Sequence, residues 1–445
     1  MWENSLGSNF AQSHLGLNES AGDYVVYISI PFCRVRCKAC PYFVQILSEN
    51  DSADYEERYV DALIKDIRRW GSYPRWRDGS LRAIYIGGGT GSILKTYNLK
   101  RVVDALFESF PVASDYSLTL EGNARDFTED KLDYVANSPI NRVSLGVQSF
   151  DETVLRIVGS PHAAESSLAI INGLNKRGFN NIQMDMMYNM PGHTIEAWKR
   201  DLKMLESLDI KHFTIYLYRI HEGTPQDMLI KKGEVPPVFD PDSEYVMSMY
   251  QEAVKYADKL GYKMYMFDHF AQSGYDNPYN WYTFKEARDA LGIGAGAYSF
   301  INSYRTGTKK DVDSYIETVN RGEHMITAVS NHMSPRIRKE RYAIFAFQYF
   351  DIEFAAYRQQ FGCEFLDDFG DIVTKLQKKG LVEILSDRII MTELGKEWRM
   401  NVLLEFVNPS FWGDMSAIEQ PNWAMNISMV DLVASKRERW LGEVF

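Results

Sequence analysis

Between Tyr24 and Tyr218 the sequence alternates six times between a short apolar run and a longer stretch of helical periodicity, which restricts the chain to few folds. The runs are Tyr24 to Ile30, Leu81 to Ile86, Tyr116 to Leu120, Arg142 to Val147, Ile182 to Tyr188 and His212 to Tyr218. Between them, Val60, Leu63, Ile64 and Ile67 share one helical face, after a cap signal at Asp51 and Ser52. Leu99, Val102, Val103 and Leu106 share another, as do Ile195, Trp198, Leu202 and Leu205, and stretches near Thr128 to Val135 and Ala164 to Leu174 complete the series. Apolar strands joined by helices are what a parallel sheet needs, because each crossover returns the chain in the same direction and covers a face. The pattern predicts an α/β fold, a partial (β/α)6 barrel of the TIM type, with its site at the C-terminal ends of the strands.

Beyond the sixth run, Pro225, Pro236, Pro237 and Pro241 predict a connection across the barrel mouth. A helix near Ser243 to Leu260 and the segment Tyr262 to Phe270 follow. From about Ile326 the texture changes: helical stretches around Ile337 to Phe350 and Asp371 to Lys379 lead into two short strands, 380–384 and 388–392, about a turn at Ser386 and Asp387, then a helix from Glu393. This is a winged-helix-like α+β pattern. Such a fold can read DNA, but the net charge is −11 and no Lys/Arg run could track a phosphate backbone, so covering the substrate or packing on the barrel is favoured. The expected domains are an N-terminal extension (1–22), the barrel with its mouth extension (23–325), the winged-helix-like substrate-covering domain (326–409) and a tail (410–445) whose Phe and Trp residues resist assignment.

Three of the four cysteines, Cys33, Cys37 and Cys40, follow the first strand with C-x3-C-x2-C spacing, so three thiolates on one short loop can converge on one centre. A four-iron cluster held by three thiolates exposes one iron to an external ligand. The alternative is a zinc knuckle or three buried thiols, but zinc needs a fourth Cys or His, and the nearest histidines in sequence are His14 and His162. Cys363 alone lies outside the loop, so no intramolecular disulfide framework is available. No stretch approaches the roughly 18 apolar residues of a membrane span, and the polar start has no basic, apolar signal-peptide pattern. A cytoplasmic protein, with neither nucleic acid nor membrane as partner, is expected.

The cysteine spacing and its Tyr27-x-x-x-Pro31-Phe32-Cys33 preface resemble the radical S-adenosylmethionine (SAM) enzymes, and from about Tyr24 through Leu404 the chain resembles the oxygen-independent coproporphyrinogen III oxidase superfamily within them. That superfamily includes porphyrin decarboxylases, haem chaperones, radical methyltransferases, cyclopropanases and haem-opening enzymes. The resemblance implies a [4Fe-4S] cluster on Cys33, Cys37 and Cys40 that binds SAM and cleaves it to a 5′-deoxyadenosyl radical. It implies further cofactor contacts at Tyr27, at the glycine motif Gly87, Gly88, Gly89 and Thr90, at Glu121, at Gln148 and at Asp185. Gly294 and Ala295, in the small-residue segment Gly292 to Ser299, imply room for a second SAM, with tight packing as the alternative. A reductant such as flavodoxin or ferredoxin, a planar small-molecule substrate and a monomer complete the expectation.

Five positions depart from the family pattern, one of them Asn280, which replaces the tyrosine of the chaperones' His-Asn-x-x-Tyr-Trp motif. Gly91 replaces a proline, which predicts a looser loop; Ser160 replaces an arginine that clamps carboxylates, with His162 a candidate substitute; Tyr42 replaces a further cysteine of the decarboxylases; and Asp276 replaces the histidine of the chaperones' His-Asn-x-x-Tyr-Trp motif. The expected reaction is therefore transfer of a methyl-derived unit to an unsaturated carbon of a planar heterocycle or tetrapyrrole, giving methylation, cyclopropanation or ring opening. Porphyrinogen decarboxylation and haem trafficking are the alternatives.

Overall fold

The structure, a computed structural model, describes residues 7–38, 40, 42–47, 53–241 and 243–407. The Asp51/Ser52 cap signal and the 410–445 tail lie outside these residues. Two compact units divide the chain. The first runs to Thr283 and resumes over Arg288–His332; the second takes Phe284–Ala287 and everything from Met333.

In the first unit the six predicted runs are parallel strands: β1 (Asp23–Ile30), β2 (Ser80–Gly88), β3 (Val112–Gly122), β4 (Arg142–Gln148), β5 (Ile182–Tyr188) and β6 (His212–Leu217). They lie side by side in chain order, each pairing only with its sequence neighbours within the set. Sequential strands can take this order because a helix lies between each pair. The helix Ala53–Gly71 shows why these helices form: Asp54 and Glu56 sit in its first turn and Arg68 and Arg69 in its last, complementing the helix dipole. It buries Tyr59, Val60, Leu63, Ile64 and Ile67 against the sheet.

Where six strands were expected, the sheet has twelve among the described residues. Asp289–Ile293 lies parallel to β1 on its free side, from Tyr24↔Asp289 to Ile28↔Ile293, and is followed antiparallel by Tyr298–Ile301, Tyr304–Gly307 and Ala328–Val329. At the other side His269–Ala271 pairs antiparallel with β6, and Lys263–Met266 follows it. The segment Tyr262 to Phe270 is thus a hairpin, turned at Asp268 with φ 60°. Pro225 does not break the chain but occupies the first turn of a helix, Pro225–Lys231, capped by the Thr224 hydroxyl. Within the N-terminal extension, Gly7–His14 is a helix, Ala11, Leu15 and Leu17 are buried, and the Asn302 amide donates to the His14 carbonyl at 3.0 Å.

The second unit contains a three-stranded sheet ordered Asp351–Glu353, Arg388–Met391, Val382–Ile384, so the expected two-stranded wing has a third strand. Helices Pro335–Ala346, Phe354–Phe361 and Phe365–Lys378 accompany it, and Tyr342, Phe347, Tyr357, Phe365, Phe369 and Phe406 form an aromatic core.

Strand alternation gives the first unit two unlike faces. Val26, Ile28, Ile84, Ile86, Leu118, Leu120, Val143, Leu145, Ile182, Met184, Phe213 and Ile215 pack into the helix-covered core. The opposite face presents Tyr27, Tyr85, Thr119, Glu121, Arg142, Ser144, Gln183, Asp185, His212 and Thr214. A strand face this polar needs partners for every group, and those partners build the site.

Candidate active site

The cysteine loop leaves β1 at its C-terminal end and is fixed at several points. The Leu47 N–H donates to the Cys33 carbonyl at 2.9 Å and the Cys40 N–H to the Cys37 carbonyl at 3.1 Å. Arg34 reaches Asp126, on the loop after β3, at 2.7 Å; Asp126 is buried, and Arg34 is its ion-pair partner. Lys38 donates its Nζ to the Ile157 carbonyl at 2.9 Å. The three thiols lie close enough to influence one another: burial pushes Cys33 up to about 12 and Cys37 up to about 11, and neighbouring cysteines add to both shifts. Burial raises Cys40 as well. Among the described residues no three His, Cys, Asp or Glu side chains are gathered around one point to hold a single ion. A cluster asks for less, because each thiolate ligates its own iron.

Gly87 to Thr90 lie beside this loop. A Cβ on Gly87 would overlap the Glu121 carboxylate, and one on Gly89 would sit 2.5 Å from the Phe32 carbonyl, so only glycine admits these approaches. Gly88 adopts φ 118°. The Thr90 hydroxyl lies 3.4 Å from the Cys33 sulfur. Gly91 does not loosen the turn: a Cβ there would stand 2.6 Å from the Ile86 carbonyl, so its backbone is packed tightly.

Glu121 ends β3 against this turn. Burial, reinforced by the charge of Asp185 and only partly opposed by the Gly88 N–H, pushes its carboxyl up to about 8. It is mostly protonated at neutral pH, a group whose charge state a ligand can change. Asp185, inside β5, accepts from Ser144 Oγ at 2.7 Å, Gln183 Nε2 at 2.5 Å and Thr214 Oγ1 at 2.6 Å. Those three bonds orient it and leave about one of its four lone-pair positions, on Oδ2, for a ligand hydroxyl. Gln148 has φ 65° at a bulge where β4 skips a residue against β5. Its amide nitrogen comes 3.9 Å from where a Gly146 Cβ would be, which turns it onto the polar face.

Tyr27 and Tyr85 stack on that face, ring centres 5.7 Å apart and 9° from parallel, with Tyr279 tilted 5.5 Å from Tyr85. Tyr42 stays 43% exposed, with its hydroxyl near Cys40 and Glu121 and pushed up to about 12 by burial. Toward the N-terminal ends of the strands Arg142 is wholly buried; it bonds Gln183 Oε1 and His212 Nδ1, while its Nε and Nη1 have no partner among the described residues. Burial and the Arg142 charge drive His212 well below its usual range, so it accepts as a neutral ring.

Other predicted positions serve packing. Gly294 and Ala295 are enclosed: a Cβ on Gly294 would sit 2.6 Å from the Ser29 carbonyl, and Ala295 gives its carbonyl to Ser29 Oγ at 2.8 Å and its N–H to the Tyr59 hydroxyl at 3.1 Å. His162 is no cationic clamp, because burial lowers its pKa and its ring bonds Asn123 at 3.0 Å and the Val147 carbonyl at 3.3 Å. Asp276 lies near Arg142 and is raised by burial. Missed in the sequence were Tyr85, Arg142, Ser144, Gln183, His212 and Thr214; their period-two placement in otherwise apolar strands was the available signal.

The radical SAM superfamily model matches residues 27–205, from the Tyr27 preface through the fifth crossover helix. The chain carries a radical SAM domain over these residues. A heme chaperone of Lactococcus lactis is 27% identical over 86% of this chain and 96% of its own length. The anaerobilin synthase of Escherichia coli O157:H7 is 24% identical over 85% and 82%, and the oxygen-independent coproporphyrinogen III oxidase of Salmonella typhimurium 26% over 86% and 84%. The solved coproporphyrinogen III oxidase of Escherichia coli shares the fold, with a TM-score of 0.77 at 22% identity over 91% of this chain and 94% of that one. The chain is homologous to this oxidase and chaperone group, and the superfamily's cofactors are a [4Fe-4S] cluster and SAM. No helix among the described residues is long and apolar enough to cross a membrane.

Three sulfur donors on one loop suit a three-thiolate cluster, and the raised carboxyl of Glu121 beside the glycine turn suits the amino group of a ligand on the remaining iron.

Proposed function

We propose that this radical SAM protein transfers a methyl-derived carbon from SAM to an unsaturated carbon of a planar tetrapyrrole or related heterocycle, with methylation, cyclopropanation or ring opening as the outcome. The observation that carries the reading is the convergence of the three thiols, the Gly87 to Thr90 turn and the uncharged Glu121 carboxyl at one end of the polar face. Bound there, the cluster and SAM supply reductive cleavage of the sulfonium and hydrogen abstraction. Cys33, Cys37 and Cys40 would hold the iron. Gly88 and Glu121 would hold the amino-acid end of SAM, and Asp185 and Gln148 would hold hydroxyls beside it. Glu121 can give up its proton when an amine arrives, because a positive partner lowers a raised carboxyl. Tyr27 and Tyr85 offer a flat aromatic surface, and the helix-covered sheet excludes water.

Three features favour alkyl transfer over decarboxylation: Ser160 offers no cation, His162 is neutral and tied to the backbone, and Tyr42 stands where a thiol would be. Asp276 in place of the chaperones' histidine disfavours haem carriage. Two of these relatives, a heme chaperone and a coproporphyrinogen III oxidase, are tetrapyrrole proteins, which supports a tetrapyrrole substrate. A flavodoxin- or ferredoxin-type reductant, a cytoplasmic location and a monomeric state complete the proposal.

The test is anaerobic turnover of the reconstituted protein with methyl-deuterated SAM and haem or coproporphyrinogen, followed by mass spectrometry. The expected result is label in both 5′-deoxyadenosine and an alkylated product, with S-adenosylhomocysteine from a second SAM. 5′-Deoxyadenosine with loss of carbon dioxide and no label in the product would establish the decarboxylase instead.

A further inference from the structure

Behind the cysteine loop two buried polar side chains have no hydrogen-bond partner among the described residues. Tyr218 directly follows β6; its N–H donates to the Tyr188 carbonyl at 2.9 Å, and it packs in an apolar pocket with Val154, Val158 and Met190. Tyr218 is 6% exposed, and its hydroxyl makes no hydrogen bond. Gln226, in the helix Pro225–Lys231, is wholly buried, and both atoms of its amide are unpaired.

Both lie against the residues that pin the loop after Cys37. The Gln226 N–H donates to the Lys38 carbonyl at 3.1 Å, and the Lys38 N–H donates to the carbonyl of Val158, which packs with Tyr218, at 3.3 Å. The Cys37 sulfur adds to burial in holding the Tyr218 phenol above its usual range, which places the two groups in each other's field. An apolar pocket of this shape is better filled by phenylalanine, so an unpartnered hydroxyl here needs an acceptor to justify it. A phenol and a primary amide are both donors, and a thiolate of the loop they pin is an acceptor that cluster binding creates.

We propose that Tyr218 and Gln226 donate hydrogen bonds to the Cys37 thiolate and the adjoining sulfides of the cluster, and that they are positioning residues that raise its reduction potential; this rests on the cluster assignment above. Reduction adds negative charge to the sulfurs, and a donor aimed at them stabilises the reduced form.

The test uses the full chain reconstituted anaerobically, with Tyr218→Phe, Gln226→Leu and the double variant. Iron and sulfide content are measured first, then the potential by titration monitored with electron paramagnetic resonance, then iron release to a chelator. Each single variant should hold a full cluster at a more negative potential, the double variant should shift further, and iron should leave on the order of tenfold faster. Without iron, Tyr218→Phe should melt at or above the wild-type temperature, because it removes an unpaired buried hydroxyl; a clear loss of stability there would show that the phenol already has a structural partner and would overturn the proposal. Loaded variants with the wild-type potential would overturn the hydrogen bonds alone. A wild-type chain that takes up no iron and sulfide would overturn the cluster assignment and this inference with it.

Discussion

Glu121→Gln should change how the stability of the iron-free chain depends on pH. The folded chain raises this carboxyl from an ordinary 4.5 to about 8, burial first and the Asp185 charge second, so it binds its proton more tightly folded than unfolded. Its contribution to stability is fully present below pH 4.5 and is lost as the pH rises toward 8. Each pH unit in that window removes about 1.4 kcal/mol, and the whole window at most about 5 kcal/mol. Glutamine has nearly the same shape and does not ionise, so it escapes this loss. Cys33 and Cys37, pushed up to about 12 and 11 in the folded chain, ionise toward pH 8.5 only when unfolded, equally in both proteins, so their effect cancels from the comparison. Urea unfolding of the iron-free, reduced chain and of Glu121→Gln at pH 5.5 and 8.5 should show the variant gaining about 3 kcal/mol on the wild type between the two values. A difference constant to within about 0.5 kcal/mol would mean that Glu121 is ionised in the folded chain, and the account of the site as built around an uncharged carboxyl would fail.

Gly87→Ala should keep iron and sulfide yet lose SAM affinity at least about tenfold by equilibrium dialysis, because the new methyl group overlaps the Glu121 carboxylate. Arg34→Ala strands the buried Asp126 without its ion-pair partner; a loss of about 3 kcal/mol in unfolding free energy and faster bleaching of the cluster absorption are expected. Asp185→Asn replaces an acceptor of three hydrogen bonds with an amide that can satisfy only part of them, and should weaken SAM binding by about 1–3 kcal/mol in calorimetry while the iron content holds.

The six parallel strands were legible because their outward halves, such as Ile84, Ile86 and Val143, Leu145, must pack on helices and so must be apolar. The strand Asp289–Ile293 was not, since it is five residues long with a glycine inside and owes its place to pairing with β1 far away in sequence. The helix Gly7–His14 was missed for a related reason: it buries only Ala11 within its length and leans on Asn302 for an anchor. At the site, residue types announced the thiols, the glycines and Asp185. The left-handed backbone of Gln148 and the raised carboxyl of Glu121 were not written locally, because a bulge against β5 makes the first and the charge of Asp185 on another strand helps make the second.

The place of β1 bears on how the chain can be made. Among the described residues β1 comes before the other strands, yet one of its two neighbours, Asp289–Ile293, is among the last strands of its unit. The helix before it docks on Asn302, 288 residues beyond His14. At about 5–20 residues per second, the apolar edge that carries the cysteine loop waits on the order of tens of seconds for its partner. During that interval it is an open template for pairing with another nascent chain. Dilute synthesis, which keeps nascent chains apart during that interval, should therefore favour soluble protein, and any scheme that loads iron before residue 293 has emerged acts on half a wall.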